Sequence, residues 1–172
     1  MNINKNFNLK SVSEREALRE FLKLCWCQTY TKQLGEDITL TMIRTLDDES
    51  LGGLLDDKDI HVVLAMMGKK IIGSCMYAIR DNVAYIWGVY VIKYAQSSGT
   101  GRAMIEAVAN AIPKNTAMQV IVLEVSIGAI EFYKNLGFKI CGKTKYVLPD
   151  GDEQSAIIMT ASKILLSKNN GC

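Results

Sequence analysis

Gln96-Ser97-Ser98-Gly99-Thr100-Gly101-Arg102 stands between a strand-like run and a helix-like run. Upstream, Ala84-Tyr85-Ile86-Trp87-Gly88-Val89-Tyr90-Val91-Ile92 is rich in β-branched and aromatic residues, the composition of a strand. Downstream, Ala103, Met104, Ala107, Val108, Ala111 and Ile112 recur at helical spacing, and Pro113 ends the run. A glycine loop that opens a helix offers backbone N–H groups with no partner inside the helix. The helix dipole adds partial positive charge at the same point. Together they suit a pyrophosphate. The glycines alone do not say which one. The dinucleotide fingerprint wants a third glycine where Met104 stands, and no run carries the Lys-Ser/Thr pair of a P-loop. A tight strand-to-helix turn without a ligand explains the loop equally well when it is taken by itself.

A second segment follows about thirty residues on. Gln119-Val120-Ile121-Val122-Leu123-Glu124-Val125 reads as a strand, and Ser126 is placed to cap the helix after it. Ala129, Ile130, Phe132, Tyr133 and Leu136 supply that helix with an apolar face, and Gly137 stands where a helix end favours a left-handed residue. With these residues in view, the chain resembles the GNAT superfamily of N-acetyltransferases. Val89-x-Val91 followed by Gln96-x-x-Gly99-x-Gly101 is similar to the family's acetyl-CoA loop. Val125-Ser126-x-x-Ala129-Ile130-x-Phe132-Tyr133-x-x-x-Gly137-Phe138 is similar to its second cofactor segment. The resemblance is clear from about Val62 to Thr160. Gln96 stands where the family more often has Arg, and Ser126 where it usually has Asn.

The resemblance implies an acetyl-CoA-dependent N-acetyltransferase. The pantetheine arm would lie where two strands splay apart and pair with backbone at Val89, Tyr90 and Val91, as an added strand does. The diphosphate would rest on the amides of Ser97, Ser98, Gly99, Thr100, Gly101 and Arg102, with Gln96, Ser126 and Ala129 completing the cofactor site. Lys93, Arg102 and Lys134 are candidate phosphate cations, or else solvated surface charges. Tyr133 is placed to protonate the departing thiolate, since a phenol and a thiol have similar pKa values; the alternative is a core tyrosine. Glu124 is expected on the strand facing the gap, where it would act as base, with a water chain as its rival. His61 reads as a surface or structural histidine.

Length and composition fit one domain spanning residues 1–172 of a globular protein. A net charge of +2 gives no reason to expect nucleic acid, and no apolar run reaches membrane-spanning length. The N-terminus lacks a signal-peptide core, so a cytoplasmic location is expected. Five cysteines, odd in number and irregularly spaced, fit reduced thiols. Cys25-x-Cys27 has no second ligand pair, so no metal is expected.

The chain shows no repeat or linker. Phe7 to Lys10 is expected to form a first strand. Ser13 with Glu16 reads as a capping box opening a helix toward Tyr30, on which Trp26 and Tyr30 share a face. One or two short helices are expected within 37–57, broken at Gly52-Gly53. Strands follow over 60–67 and 70–80, and a turn at Asp81-Asn82 leads into the strand through Val91. A final hairpin turns over Pro149-Asp150-Gly151, and the residues after Leu166 are expected to fray. The fold class is α+β, with a GNAT-like mixed, mostly antiparallel central sheet and helices on both faces.

Residues 36–59 hold eight carboxylates against two cations. In the family this region usually lines the acceptor entrance, so an acidic entrance for a cationic amine is one reading, and solvated caps and loops are the other. Trp26 and Tyr30 would hold an ammonium against their rings or pack in the core. The expected partner is a primary amine on a small molecule such as a polyamine, or on a peptide or protein. A homodimer stays open. Two rivals remain. One is a non-catalytic acyl-CoA-binding or sensor module, which has no need of a donor at Tyr133. The other is a dehydrogenase-type nucleotide domain, which the missing third glycine disfavours.

Overall fold

A computed structural model describes residues 1–4, 11–55 and 58–162. The strand expected over 7–10, the carboxylates Asp56 and Asp57, and the chain after Leu166 lie outside the described residues. The first described strand is β1 (Asn2–Asn4). The long helix α1 (Val12–Leu34) follows, with α2 (Glu36–Thr45) next to it in the chain. Strands β2 (His61–Met67), β3 (Lys70–Arg80) and β4 (Val83–Val91) form a meander. A single 3₁₀ turn (Lys93–Ala95) leads to α3 (Thr100–Ala111). Then come β5 (Ala117–Leu123), α4 (Ile127–Asn135), β6 (Lys139–Val147) and β7 (Glu153–Ser162).

Two S-x-x-E sequences compete to start α1, and the upstream one wins. Glu14 N–H donates to Ser11 Oγ and Ser11 N–H to Glu14 Oε2, each at 3.1 Å. The box expected at Ser13 and Glu16 is therefore corrected to Ser11 and Glu14; Glu16 pairs with Arg19 instead. The helix also runs past Tyr30, to Gly35. That residue holds φ +91°, a value L side chains rarely adopt, and it both closes α1 and opens α2. Buried Leu18, Phe21, Leu22 and Cys25 give α1 one apolar stripe at helical spacing.

The seven strands form one sheet in the order β1-β2-β3-β4-β5-β7-β6. Among the described strands the β4–β5 pair alone is parallel. Asp81 and Asn82 both carry positive φ, as a two-residue hairpin between β3 and β4 requires. Side-chain alternation divides the core in two. Val63, Cys75, Tyr77, Ile86, Val120, Val122 and Met159 pack with α3 and α4 on one face. Val62, Leu64 and Met76 pack with α1 on the other. The sheet is thus mixed and mostly antiparallel with helices on both faces, as expected.

Two irregularities shape the middle of the sheet. Met76 faces Gly88 while Tyr77 faces Ile86, so Trp87 is an extra, bulged residue in β4. The bulge resets the alternation, putting Val89 and Val91 on the α3 face and Tyr90 on the α1 face. In addition, β4 and β5 pair over Val83–Ile86 and Ala117–Val120, after which no register pair joins them.

Candidate active site

Past Ile86 and Val120 the two parallel strands part, and a cleft of ≈ 860 Å³ opens there. The exposed edge of β4 is a natural acceptor for an extended chain. Ile92 N–H donates to Ile72 O at 3.0 Å, on the β3 side. Backbone groups alternate along a strand, so those of Val91 and Val89 face the gap. The Val91 carbonyl is already engaged: Gln96 Nε2 donates to it at 3.0 Å. Gln96 therefore fastens the glycine loop to the end of β4, a role that does not require the charge of the family's more usual Arg.

The loop itself rests on two glycines for different reasons. Gly99 holds φ +83° as the N-cap of α3, and a Cβ there would meet nothing within 4 Å. Its requirement is conformational. At Gly101 a Cβ would fall 3.0 Å from the Phe132 ring, so this glycine lets α3 approach α4 closely. No side chain caps α3, and its first backbone N–H groups are free of intrahelical partners. Gly99, Thr100, Gly101 and Arg102 all line the cleft, as do Gln96 and Ser97. Ser98 does not. Its hydroxyl donates to Ala95 O at 2.6 Å and meets Thr100 Oγ1 at 2.8 Å, bracing the turn from behind. Arg102 Nη2 donates to Asn135 O at 3.3 Å, tying α3 to the end of α4. Lys93 and Lys134 are not in the cleft wall.

Tyr133 lines the cleft from α4. Its ring is nearly fully buried, edge-on to Phe132 and Phe138 with centroids 5.1 and 5.2 Å apart. Its hydroxyl makes no hydrogen bond among the described residues. Burial drives its pKa well up, so the phenol keeps its proton across the working range. The neighbouring buried Cys75 thiol is likewise pushed up, to about 12.

Two expectations need correction. Glu124 lies beyond the end of β5, and its carboxylate pairs with Lys143 Nζ at 3.0 Å rather than facing the gap. The strand ends at Leu123 because Glu124 N–H makes its last bond to Ser155 O as the chain turns toward α4. Ser126 does not cap α4 with its side chain. Its buried hydroxyl donates to Gln33 Oε1 at 2.7 Å, linking α4 to the last turn of α1 across the cleft. Ala129 lines the cleft as expected. His61 stacks on Tyr77 at 5.0 Å, outside the cleft wall.

On the α1 face the cleft is aromatic. Trp26 contacts Tyr30 (centroids 6.4 Å apart) and Tyr90 (6.1 Å), and the Tyr30 and Tyr90 hydroxyls lie 3.1 Å apart. Burial raises the pKa of both phenols. Trp87, Tyr146, Met42 and Leu123 extend this wall. Gly88 makes room for it, since a Cβ there would meet the Tyr90 ring at 2.7 Å. The described carboxylates of residues 36–59 are placed elsewhere. Asp47 pairs with Lys23 at 2.7 Å, Asp48 accepts from Ser50 and Gly52, and Asp59 pairs with Arg80. None of the described carboxylates in that stretch lines the cleft. Sequence reading missed Trp87, Gly88, Gln33 and Tyr146. A glycine beside a tryptophan inside a strand does signal a bulge; nothing local marks Gln33 or Tyr146.

Among the described residues no group of His, Cys, Asp and Glu is arranged to hold a metal ion. No described helix is long and apolar enough to cross a membrane.

Comparison with known proteins agrees with this architecture. The PaiA N-acetyltransferase of Thermoplasma acidophilum, solved with coenzyme A, is 20% identical, with a TM-score of 0.72 over 94% of this chain and 99% of that one. An aminoglycoside 6′-N-acetyltransferase complexed with coenzyme A is 14% identical, with a TM-score of 0.66 over 95% of this chain and 97% of that one. The ribosomal-protein-alanine N-acetyltransferase of Brucella melitensis is 17% identical, with a TM-score of 0.59 over 94% and 99%. No curated protein sequence matches at a significant level. A family model described as an acetyltransferase (GNAT) domain matches residues 11–147, from the capping serine of α1 to the end of β6. The chain therefore belongs to the GNAT family of acetyltransferases, whose acetyl donor is acetyl-CoA.

Proposed function

We propose that this protein moves an acetyl group from acetyl-CoA to a primary amine by direct attack, with Tyr133 as proton donor. The observation that carries the reading is Tyr133, a buried residue in the wall of the open strand pair whose hydroxyl makes no hydrogen bond to any described residue. The donor's pantetheine arm would lie along the free edge of β4 at Val89 and Val91, and its diphosphate on the amides that open α3. The two reactants then meet in line from opposite faces of the sheet, and much of the acceleration comes from that positioning. The amine nitrogen bonds to the thioester carbon, the C–S bond breaks, and the sulfur takes the Tyr133 proton. The phenol is reprotonated from solvent.

Removal of the amine's own proton does not call on Glu124. Service as a base would require its ion pair with Lys143 to open. We assign this step to water in the cleft, the base being the solvent. The one carboxylate among the described cleft residues, Glu131, is on α4 beside Phe132, whose ring lies against α3 at Gly101.

Thiol release from acetyl-CoA in the presence of amines tests the reading. Tyr133→Phe keeps the ring and removes the hydroxyl. We expect kcat to fall by about 10²-fold or more, the usual range for a general acid, with acetyl-CoA affinity unchanged. Undiminished turnover in this variant would reduce Tyr133 to a packing residue. Tight binding of acetyl-CoA without turnover of any amine would instead favour a sensor module.

A further inference from the structure

Helix α1 changes character along its length. As far as Cys25 it is fastened to the sheet by buried apolar side chains, and Trp26 is the last of its residues to pack against that core. From Cys27 to Leu34 no residue is buried and none joins a core cluster. Side-chain hydrogen bonds hold this stretch instead. Lys93 N–H donates to Gln28 Oε1 at 3.3 Å, at the turn that leads into the glycine loop. The Tyr30 and Tyr90 hydroxyls meet at 3.1 Å, above β4. The Ser126 hydroxyl donates to Gln33 Oε1 at 2.7 Å, at the start of α4. Gln28, Tyr30 and Gln33 all line the cleft.

These contacts fall on both sides of the gap between β4 and β5. Tyr90 and Lys93 belong to β4 and the turn after it, whereas Ser126 follows β5. The helix itself is rooted on β3 and β4, so the Gln33–Ser126 contact carries its end across to the β5 side. Ser126 is buried, and a buried hydroxyl that loses its partner is costly. Yet the segment that bears Gln33 lacks apolar anchors, and such segments open locally at small free energy. The contact is therefore strong enough to be made and weakly enough backed to be lost when the gap changes width.

We propose that Gln33 is a positioning residue: with Ser126 it forms a clasp that fixes the end of α1 across the gap, and coenzyme A lying in the gap favours the clasped state. The inference rests on the placement of the donor arm between β4 and β5. A donor in contact with both sides sets their separation, and a hydrogen bond spanning the same gap is made or lost with that separation. The clasp thereby fixes the width of the cleft in which the two reactants meet. By reciprocity, whatever the donor adds to the clasp, the clasp adds to the donor's affinity. The net worth of one hydrogen bond sets the scale, about 2–10-fold in an equilibrium.

Hydrogen exchange on the whole protein, with and without coenzyme A, tests this. In the free protein the amides of residues 27–34 should exchange faster than those of 18–25. Saturating coenzyme A should slow the 27–34 amides by about 2–10-fold. Gln33→Leu, at a half-buried position that leaves the core intact, should abolish that slowing and weaken coenzyme A binding by about 2–10-fold in calorimetry. Ser126→Ala should do the same, and the double variant should lose no more than either alone, because one clasp is lost once. Gln33→Glu keeps an acceptor oxygen for the Ser126 hydroxyl and should retain the response. Slowing that persists in Gln33→Leu, additive losses in the double variant, or an equal loss in Gln33→Glu would each overturn the clasp. Coenzyme A bound without any change in 27–34 would overturn it too and leave the acetyltransferase standing. Failure of coenzyme A to bind the unaltered protein would overturn the donor placement, and the clasp with it.

Discussion

Gly99 and Gly101 provide a direct test of how the loop before α3 is built, because the two residues are needed for different reasons. At Gly99 an added methyl meets no atom within 4 Å, but the backbone holds φ +83°. An L residue in that region costs about 1–2 kcal/mol. Part of this is offset by about 0.4–1 kcal/mol, because the unfolded chain of the Ala variant has less freedom to lose. Gly99→Ala should therefore lose about 1 kcal/mol of loop stability with no clash. If the loop relaxes to escape the strain, the amides leave their positions, and the Kd for acetyl-CoA rises by about 3–10-fold. At Gly101, inside the first turn of α3, Ala is the better helix former by about 0.5–1 kcal/mol. The new methyl sits 3.0 Å from Cε2 and Cζ of Phe132, so the ring must give by a few tenths of an ångström. Gly101→Ala should thus be near neutral in Tm yet weaken acetyl-CoA binding, because Phe132 itself lines the cleft. Gly101→Val, with two further methyl groups, should nearly abolish binding. Calorimetric titration with acetyl-CoA, paired with thermal unfolding, reads both quantities. Wild-type affinity in Gly99→Ala and Gly101→Val together would refute the assignment of this loop to the diphosphate.

Two further outcomes can be checked. Glu124→Gln should leave kcat within about 3-fold of wild type, because a base role is worth 10² or more and this carboxylate is paired with Lys143 outside the cleft wall; a 10²-fold loss across the pH profile would restore Glu124 as base. The fold should also weaken in alkali. The thiols of Cys25 and Cys75 are raised by burial from 9.0 to about 12, so the unfolded chain gives up these protons first. Their contribution is full below pH 9 and is lost as pH rises toward 12, at up to about 1.4 kcal/mol per pH unit for each thiol. Denaturant titrations at pH 8 and pH 10 measure it, and a midpoint independent of pH over that interval would show that the thiols titrate alike in both states.

The parts of this molecule written in local sequence were those with a periodic or stereochemical signature. The glycine loop, the Asp81-Asn82 turn and the β6–β7 turn each place residues that tolerate unusual φ where the backbone needs them. The apolar stripe of α3 and the continuous apolar runs of β2 and β3, which are buried on both faces, marked those elements in the sequence. The misplaced features depend on choices between equivalent signals or on partners distant in sequence. Ser11 and Ser13 offer the same capping pattern, and only the packing of α1 selects between them. Ser126 has the right chemistry for a cap, but Gln33, ninety-three residues away, takes its hydroxyl. Residues 36–59 carry their acids in plain view, and the cations that pair with two of them, Lys23 with Asp47 and Arg80 with Asp59, lie in other elements. The aromatic wall was half legible. Trp26 and Tyr30 announce a shared helix face, and Tyr90 joins them on that side only because the bulge at Trp87 resets the alternation of β4.

Most sheets are held most firmly at their centre. Here the central seam is short: β4 and β5 share four register pairs, against eight between β3 and β4 and seven between β5 and β7. Two half-sheets, β1 to β4 on one side and β5, β7 and β6 on the other, meet like boards joined along part of one edge. A ligand lying in the open part of that joint touches both boards. The acetyl donor would therefore act as a mechanical tie as well as a reactant, and loss of its acetyl group on turnover leaves the tie in place until coenzyme A departs. Opening and closing of this seam would then set the pace at which the enzyme exchanges spent donor for fresh.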